Sequence, residues 1–379
     1  MLKILLLGTN ITTGGAQKVL LDLANWLEQE GVQVSALFFY DKDGLLPEWQ
    51  TQSKFPLDCL HAWAVNDKPL KRANRLLNGW LRLVRVMKEE QYDGVVTFTH
   101  DSNILGLPAA WLAKIPARWG SHHGYPNLSK IKILVHRWVI NSKLSTGLVA
   151  VSEFTRDRAL QEGIDPTKIR LIQNGIETEK LSNLDPGNTL KDLNIPLNAR
   201  VILSVGRLVA SKGHEFLVRA APAVLASHPN VVFCIAGDGP FRRSLELMIN
   251  SLKISENFRL LGNRKDIPIL LSASDLFVMP SIYEGLPISL LEAMASGVPV
   301  ICTAIPAVTN IIKDGENGRL VVLQDEDELS QAIIELLDDP EKSKRLAMQA
   351  QELVRSTFSL ANMGKAYQDL IKEHHPNAK

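Results

Sequence analysis

Leu276-Phe-Val-Met-Pro-Ser-Ile-Tyr-Glu-Gly-Leu-Pro-Ile-Ser-Leu-Leu-Glu-Ala-Met-Ala-Ser-Gly-Val-Pro-Val-Ile301 reads as strand, turn, helix, turn, strand. The apolar run Leu276 to Met279 is a buried strand that stops at Pro280 and Ser281. A Glu284-Gly285 turn follows, and Pro287 suits the first turn of a helix, where its missing N–H costs nothing. Glu284 then lies just before the helix and Glu292 inside it. Eight residues at about 1.5 Å of rise each put the two carboxylates on the order of 12 Å apart. A carboxylate pair that cuts a glycosidic bond needs roughly 5–9.5 Å. The spacing suits gripping the two ends of an extended ligand. Free amides near Gly285 and Leu286, at the helix start, would draw an anion between those ends.

The same alternation of short apolar strands and helical patterns runs through the chain and calls for parallel sheets covered on both faces. Strands are predicted near 3–8, 32–39, 94–99, 117–121, 147–151 and 169–172, with helices near 15–30, 70–89, 102–113, 129–143 and 153–162. Regularity is lost over 177–199, which reads as a linker. A second series begins at Val201, with strands near 201–205, 231–236, 257–261, 275–279, 299–302 and 318–322. Helices follow to about 356, and Leu360 to His374 is a final amphipathic segment. The expectation is α/β: two doubly wound domains, 1–183 and 184–357, facing each other across a cleft, with the last helix (about 358–379) packed on the first.

At 379 residues the chain holds two full cores. An apolar content of 45% with 22% charged residues is that of an ordinary globular protein, and a net charge of +1 argues against nucleic-acid binding. The charge is uneven. Residues 1–183 carry 22 basic against 18 acidic side chains, the rest 20 against 23. Three scattered cysteines, two of them (Cys234 and Cys302) in apolar runs, read as buried free thiols in a reducing compartment. The apolar N-terminus is too short for a signal peptide, and no run approaches a membrane span.

Several further turns bear candidate chemistry. Gly14-Gly15 lies between the first strand and helix, where paired glycines let backbone approach a phosphate, although the dinucleotide spacing Gly-x-Gly-x-x-Gly is missing. Gly206-Arg207 and Lys212-Gly213 follow the first strand of the second series; two cations there would neutralise a diphosphate. Ser121-His122-His123-Gly124 ends another strand, and either imidazole would donate to a sugar hydroxyl or a phosphate. No Cys/His set has zinc spacing. Asp41-Lys42-Asp43 has a metal-holding shape but suits a turn. The segments 67–88 and 129–143 mix cations with Trp and Leu, the pattern of helices on an anionic membrane and equally of solvated sheet-covering helices.

Together these motifs resemble the retaining glycosyltransferases of family 4, which have the two-Rossmann GT-B fold. Gly14-Gly-Ala-Gln-Lys-Val-Leu20, Val151-Ser-Glu-Phe-Thr-Arg156, Gln173-Asn-Gly-Ile176, Gly206-Arg-Leu208 with Lys212-Gly213, Ala236-Gly-Asp-Gly-Pro240 and the Glu284…Glu292 block occur in that family's order over nearly the whole chain. The resemblance implies transfer of a sugar from a nucleotide diphosphate donor to a glycan or lipid-linked hydroxyl, with retained configuration and no cofactor or metal. On that pattern Glu284, with Gly285, Leu286 and Pro287, binds the donor sugar, and Glu292 the ribose. Arg207, Lys212 and Gly206 meet the diphosphate, as does Gly15. His123, with His122 a one-residue alternative, stands near the reacting sugar, and the loop of Arg264 and Ile267 meets the base. The chain departs from the pattern at Asn310, and at Ala304-Ile-Pro-Ala-Val-Thr309 where glycines are usual, which leaves the donor sugar open. A cytoplasmic enzyme, peripheral on the inner membrane face and building a surface polysaccharide or glycolipid, is the expectation. A nucleotide-sugar epimerase of the same fold or a non-catalytic nucleotide-sugar-binding subunit are the alternatives.

Overall fold

A computed structural model describes residues 1–12, 14–64, 68–124, 128–182 and 184–374. Asp67 of the basic segment 67–88, Asn183 at the expected domain boundary and residues 375–379 of the expected final helix lie outside them. The chain forms two compact units, Met1–Gly175 with the segment from Leu360 onward, and Ile176–Ser359.

The first unit runs β1 (Lys3–Ile11), α1 (Gly15–Gln29), β2 (Gln33–Asp41), α2 (Leu46–Gln52), β3 (Leu57–Cys59), α3 (Pro69–Glu90), β4 (Gly94–Phe98) and α4 (His100–Leu112). It continues through β5 (Ala117–His122), α5 (Lys130–Asn141), β6 (Gly147–Ala150), α6 (Glu153–Gln161) and β7 (Ile169–Leu171). All strand pairs are parallel, in the order β3-β2-β1-β4-β5-β6-β7. Helix α1 buries Leu20, Leu23, Ala24 and Leu27, the i, i+3, i+4, i+7 stripe of a sheet-covering helix. β3 and α2 were not predicted, because three residues and two turns carry too little periodicity.

The second unit holds a short helix α7 (Thr189–Asp192), β8 (Arg200–Val205), α8 (His214–Ser227), β9 (Val231–Ala236), α9 (Arg242–Ser251), β10 (Phe258–Gly262), α10 (Ile267–Ser272) and β11 (Leu276–Met279). It is completed by α11 (Ile288–Ala295), β12 (Val300–Thr303), α12 (Pro306–Thr309), β13 (Arg319–Val321), α13 (Glu326–Asp338) and α14 (Pro340–Thr357). Its parallel sheet has the order β10-β9-β8-β11-β12-β13. β8, β9, β11 and β12 are almost wholly buried, as an apolar run in a doubly covered sheet must be.

The boundary between the units falls at Gly175/Ile176 rather than at 183/184. Ile176 donates its N–H to Phe358 O (2.9 Å) and bridges Ser359, so the start and end of the second unit are tied together. The final helix, α15 (Leu360–Lys372), packs on α1 in the first unit. Gly364 lies so close to Trp26 that a Cβ there would sit 2.0 Å from the indole, and Tyr367 is fully buried. All three cysteines are buried free thiols. No helix among the described residues is long and apolar enough to cross a membrane.

Candidate functional site

Each sheet reverses its winding once, and ligands of doubly wound sheets bind at the carboxyl ends of the strands flanking that reversal. In the second unit the flanking strands are β8 and β11. The loops that leave them carry Gly206 to Gly213 and Pro280 to Pro287, and they are stitched together by Ile282 N–H donating to Ser211 O (2.8 Å). Gly213 has φ +63°, and a Cβ on it would stand 2.0 Å from Pro280 O, so only glycine lets the two loops approach this closely. Gly237, after β9, likewise passes Gly206 O where a Cβ would be 2.0 Å away.

That approach places Lys212 Nζ 2.6 Å from Glu284 Oε1. The same oxygen accepts from Ser281 Oγ at 2.8 Å. Below it, Thr303 Oγ1 on β12 donates to Ser281 O (2.6 Å), fixing the loop's floor. Glu284 is only 9% exposed, so the ion pair is largely withdrawn from water. Cys302 is buried beside this carboxylate, and burial followed by the Glu284 charge pushes its thiol up. His214, at the start of α8, is buried; desolvation and then the Lys212 charge lower it to about 4, so its imidazole is neutral.

Glu292 is buried in α11, as the spacing predicts. Pro287 is the N-cap, and the helix begins one residue later, at Ile288. Leu286 is buried beside it. Gly206 packs under the Lys212 side chain. Arg207 is exposed and forms no ion pair among the described residues, so the structure joins Lys212, but not Arg207, to Glu284. Arg264 forms a two-pronged pair with Asp266 (2.8 and 2.6 Å) at the entrance to α10, where Ile267 is the first residue. Asp41 accepts from Leu45 N and Leu46 N (3.1 and 3.0 Å), which is turn chemistry.

In the first unit the reversal lies between β1 and β4. Thr9 and Thr99 meet there through their hydroxyls at 2.5 Å. Thr99 holds φ +94° and ψ +156°, a conformation essentially reserved for glycine, and such strain concentrates at functional sites. Gly15 opens α1 at the neighbouring loop, and its predecessor Gly14 is the N-cap. Beyond Thr99, His100 starts α4 and turns into a cluster with His122, His136 and Glu162. His100, His136 and Glu162 carry no signal in the sequence: they come from three different helical segments and share no spacing.

The two adjacent histidines separate cleanly. His122 is 1% exposed and points at Glu162 Oε2, 3.6 Å from Nε2. His123 is half-buried, stacked on Phe98 with ring centroids 5.4 Å apart, its Nε2 2.9 Å from Ser121 Oγ. Ser121 spends its single hydroxyl proton on Thr97 O (2.9 Å). Its oxygen therefore accepts from His123 Nε2–H, and His123 Nδ1 is left as an acceptor. The donor role expected of this imidazole is replaced by an accepting one. Burial, then His122 and His100, lower His123 to about 3, which keeps it neutral.

His100, His122 and Glu162 hold three ligand-type atoms within 4.8 Å of one another. A metal would need a lone pair on His122 Nε2. His122 Nδ1 already accepts from Gly124 N–H (3.2 Å), so in the neutral ring the proton sits on Nε2, a donor facing the carboxylate. Glu162 also meets Arg158 Nε at 3.4 Å through its other oxygen. Burial works to raise this carboxyl, and the two imidazoles overcome it and hold it below the usual range.

Residues 13–180 match the family described as Glycosyltransferase Family 4, and residues 187–353 match Glycosyl transferases group 1. The chain is 33% identical over 270 residues to the UDP-Gal:alpha-D-GlcNAc-diphosphoundecaprenol alpha-1,3-galactosyltransferase of Escherichia coli, covering 68% of this chain and 70% of that one. The chain belongs to the family 4 glycosyltransferases. It is also 34% identical to the alpha-D-kanosaminyltransferase of Streptomyces kanamyceticus, over 46% of this chain and 45% of that relative. The fold of this glycosyltransferase is shared with Anabaena HepE, solved in complex with UDP and glucose: TM-score 0.86, 23% identity, 98% of this chain and all of that one. The two units are thus the two Rossmann-like domains of a GT-B enzyme that works in glycan or glycolipid synthesis.

Proposed function

We propose that this enzyme moves a hexose from a UDP-sugar to a hydroxyl of a lipid-linked glycan, with retention and without a metal. The observation that carries the proposal is the Lys212–Glu284 pair, seated by Ser281 at the winding reversal of the second unit. Lys212, with the exposed Arg207, neutralises the diphosphate as it leaves, a role that fixed cations fill without reorganisation. Glu284 binds hydroxyls of the donor sugar, Glu292 the ribose, Arg264 and Ile267 the base, and Gly15 and Gly206 present backbone to phosphate, with Gly285, Leu286 and Pro287 shaping the sugar pocket. The neutral His123 accepts from a sugar hydroxyl through Nδ1. The acceptor hydroxyl attacks from the face on which the diphosphate departs, its proton passing to a phosphate oxygen, so no protein nucleophile is used. Uridine is favoured because the Escherichia coli relative is named for UDP-Gal and HepE was solved with UDP.

A membrane setting is supported by the surfaces of α3 and α5, which both pack beside α4. Leu70, Leu77 and Leu81 on α3, and Ile131, Leu134 and Trp138 on α5, are exposed, with Leu70 at 84%. A groove of about 370 Å³ beside α3 is lined by Lys71, Arg75, Arg82, Asn74 and Asn78, chemistry suited to an anionic head group. Salt-sensitive binding to phosphatidylglycerol vesicles is expected, weakened when Arg72, Arg75, Arg82 and Arg85 are neutralised. Unchanged partitioning returns these residues to a solvated face.

The decisive experiment is a thermal-shift screen with UDP, GDP, ADP and their sugar conjugates, with and without EDTA. A ligand at 100 times its Kd adds roughly 2.7 kcal/mol. Stabilisation by UDP that survives EDTA is the expected result. A GDP response changes the base, loss with EDTA removes metal independence, and isomerised donor with no transfer converts the assignment to an epimerase. Binding without turnover across acceptors leaves a non-catalytic subunit.

A further inference from the structure

The histidine cluster of the first unit is buried, charged and unused by the chemistry proposed above. Glu162 follows the last turn of α6, His122 ends β5, and His100 begins α4, so three elements converge on one carboxylate. Two atoms in it face each other without a hydrogen-bond partner: His122 Nε2 and Glu162 Oε2, 3.6 Å apart. That separation is a few tenths of an ångström beyond a hydrogen bond, but it is close enough for the carboxylate's field to choose the tautomer. An imidazole lone pair turned toward a buried carboxylate is repelled, whereas an N–H is attracted. With the proton on Nε2, His122 Nδ1 keeps its lone pair, and this is the atom that holds Gly124 N–H at 3.2 Å. Gly124 has φ +74° and directly follows His123. The chain of contacts therefore runs from Glu162 through His122 to the His123–Gly124 turn.

We propose that Glu162 is a positioning residue of this glycosyltransferase. It fixes the Nε2–H tautomer of His122, so that His122 Nδ1 clamps the turn presenting His123. The tautomer of His122 is the switchable element. The alternative form, with its proton on Nδ1, would set two donors, that N–H and Gly124 N–H, against each other and release the turn. Arg158 Nε donates to the other oxygen at 3.4 Å, so Oε2 is the oxygen left toward the imidazoles. The inference rests on His123 serving the donor sugar.

The test uses the full chain with 15N-labelled histidine and reads imidazole tautomers by long-range 1H–15N correlation, beside steady-state hydrolysis of UDP-galactose and UDP-glucose. Wild type is expected to show His122 as Nε2–H. Glu162→Ala should lose that signature and about 10- to 100-fold in kcat, the scale of a small misplacement of a site group, with donor KM changed less than about twofold. Glu162→Gln, whose amide oxygen still accepts, should restore both the signature and most of kcat. His122 found as Nδ1–H in wild type overturns the proposal. So does an unchanged kcat in Glu162→Ala when His123→Ala is impaired. If Glu162→Ala does not fold, Glu162→Asp carries the same expectation, since it withdraws the carboxylate by one methylene. Wild-type activity in His123→Ala sinks the assignment of that histidine instead, and the His122 signature then tells the two failures apart.

Discussion

The two sheets finish their winding reversals in different ways. Between β8 and β11, the loops close over an ion pair whose members lie in the two flanking loops, with a floor from the next strand. Glycine does the enabling: Gly213 and Gly237 remove side chains so that backbones pass within contact. Between β1 and β4, two hydroxyls meet over a threonine held in a glycine conformation, and the charged cluster gathers one strand away, at the end of β5. One reversal is built by removing obstacles, the other by tolerating strain that neighbours must hold in place. The first arrangement fixes a charge for a ligand to meet. The second couples distant segments to the placement of one imidazole.

The contrast breaks most directly at Glu284. Glu284→Ala should lower transfer about 10²- to 10³-fold, on the scale of a lost preorganised polar group, with the circular dichroism spectrum unchanged. Wild-type-like turnover would take the ion pair out of the site. Next in size is Gly213→Ala, which combines a left-handed backbone with a Cβ 2.0 Å from a carbonyl oxygen. It should cost about 3 kcal/mol, seen as roughly 6–10 °C off the thermal transition of the second unit. A shift of under 2 °C would mean that the two loops are not held at this spacing.

Acidification separates the units. His214 in the second unit is lowered to about 4 by burial and then Lys212. His123, His136 and His100 in the first are all lowered, chiefly by burial. As pH falls below 6.5 the unfolded chain takes up protons that these folded imidazoles refuse, so stability is full above pH 6.5 and is lost toward pH 4. At pH 5 the loss through His214 is about 2 kcal/mol. With three such groups against one, the first unit should lose more between pH 7 and pH 5, as calorimetry of the two transitions would show. Equal losses would place solvent among the histidines. The smallest effect sharpens the strain argument. Thr99→Gly relieves an unfavourable φ while forfeiting the Thr9 contact, so its net cost should stay within about 1 kcal/mol. Thr97→Gly, on the adjoining strand with its own hydroxyl bonded to Asn103, should cost more. The reverse order would remove the strain at position 99.

What was legible in the chain follows from this difference. Strands with four to six consecutive buried residues announced themselves, and so did the helices that cover them. The members of the second unit's pair sit at fixed distances from strand ends, Lys212 after β8 and Glu284 after β11, so a turn motif located each. The first unit's cluster had no such signature. His100, His136 and Glu162 are ordinary polar residues at helix positions, and only the crossing order of β4, β5 and β6 brings them within reach. Arg207 was legible in the same way, as a cation in the turn after β8, and the fold adds only that it is exposed while Lys212 takes the carboxylate.

Sequence alone determined two parallel-sheet domains, the positions of the loops that leave each strand, and the carboxylates and cations those loops carry. It did so because apolar runs, glycines and prolines act on their own local backbone. Tertiary structure decided which loop residues meet, that Lys212 rather than Arg207 takes Glu284, and that His123 rather than His122 is accessible. It also decided which imidazole nitrogen carries the proton, because protonation and pairing depend on the field of groups that are neighbours only after the sheet has been wound.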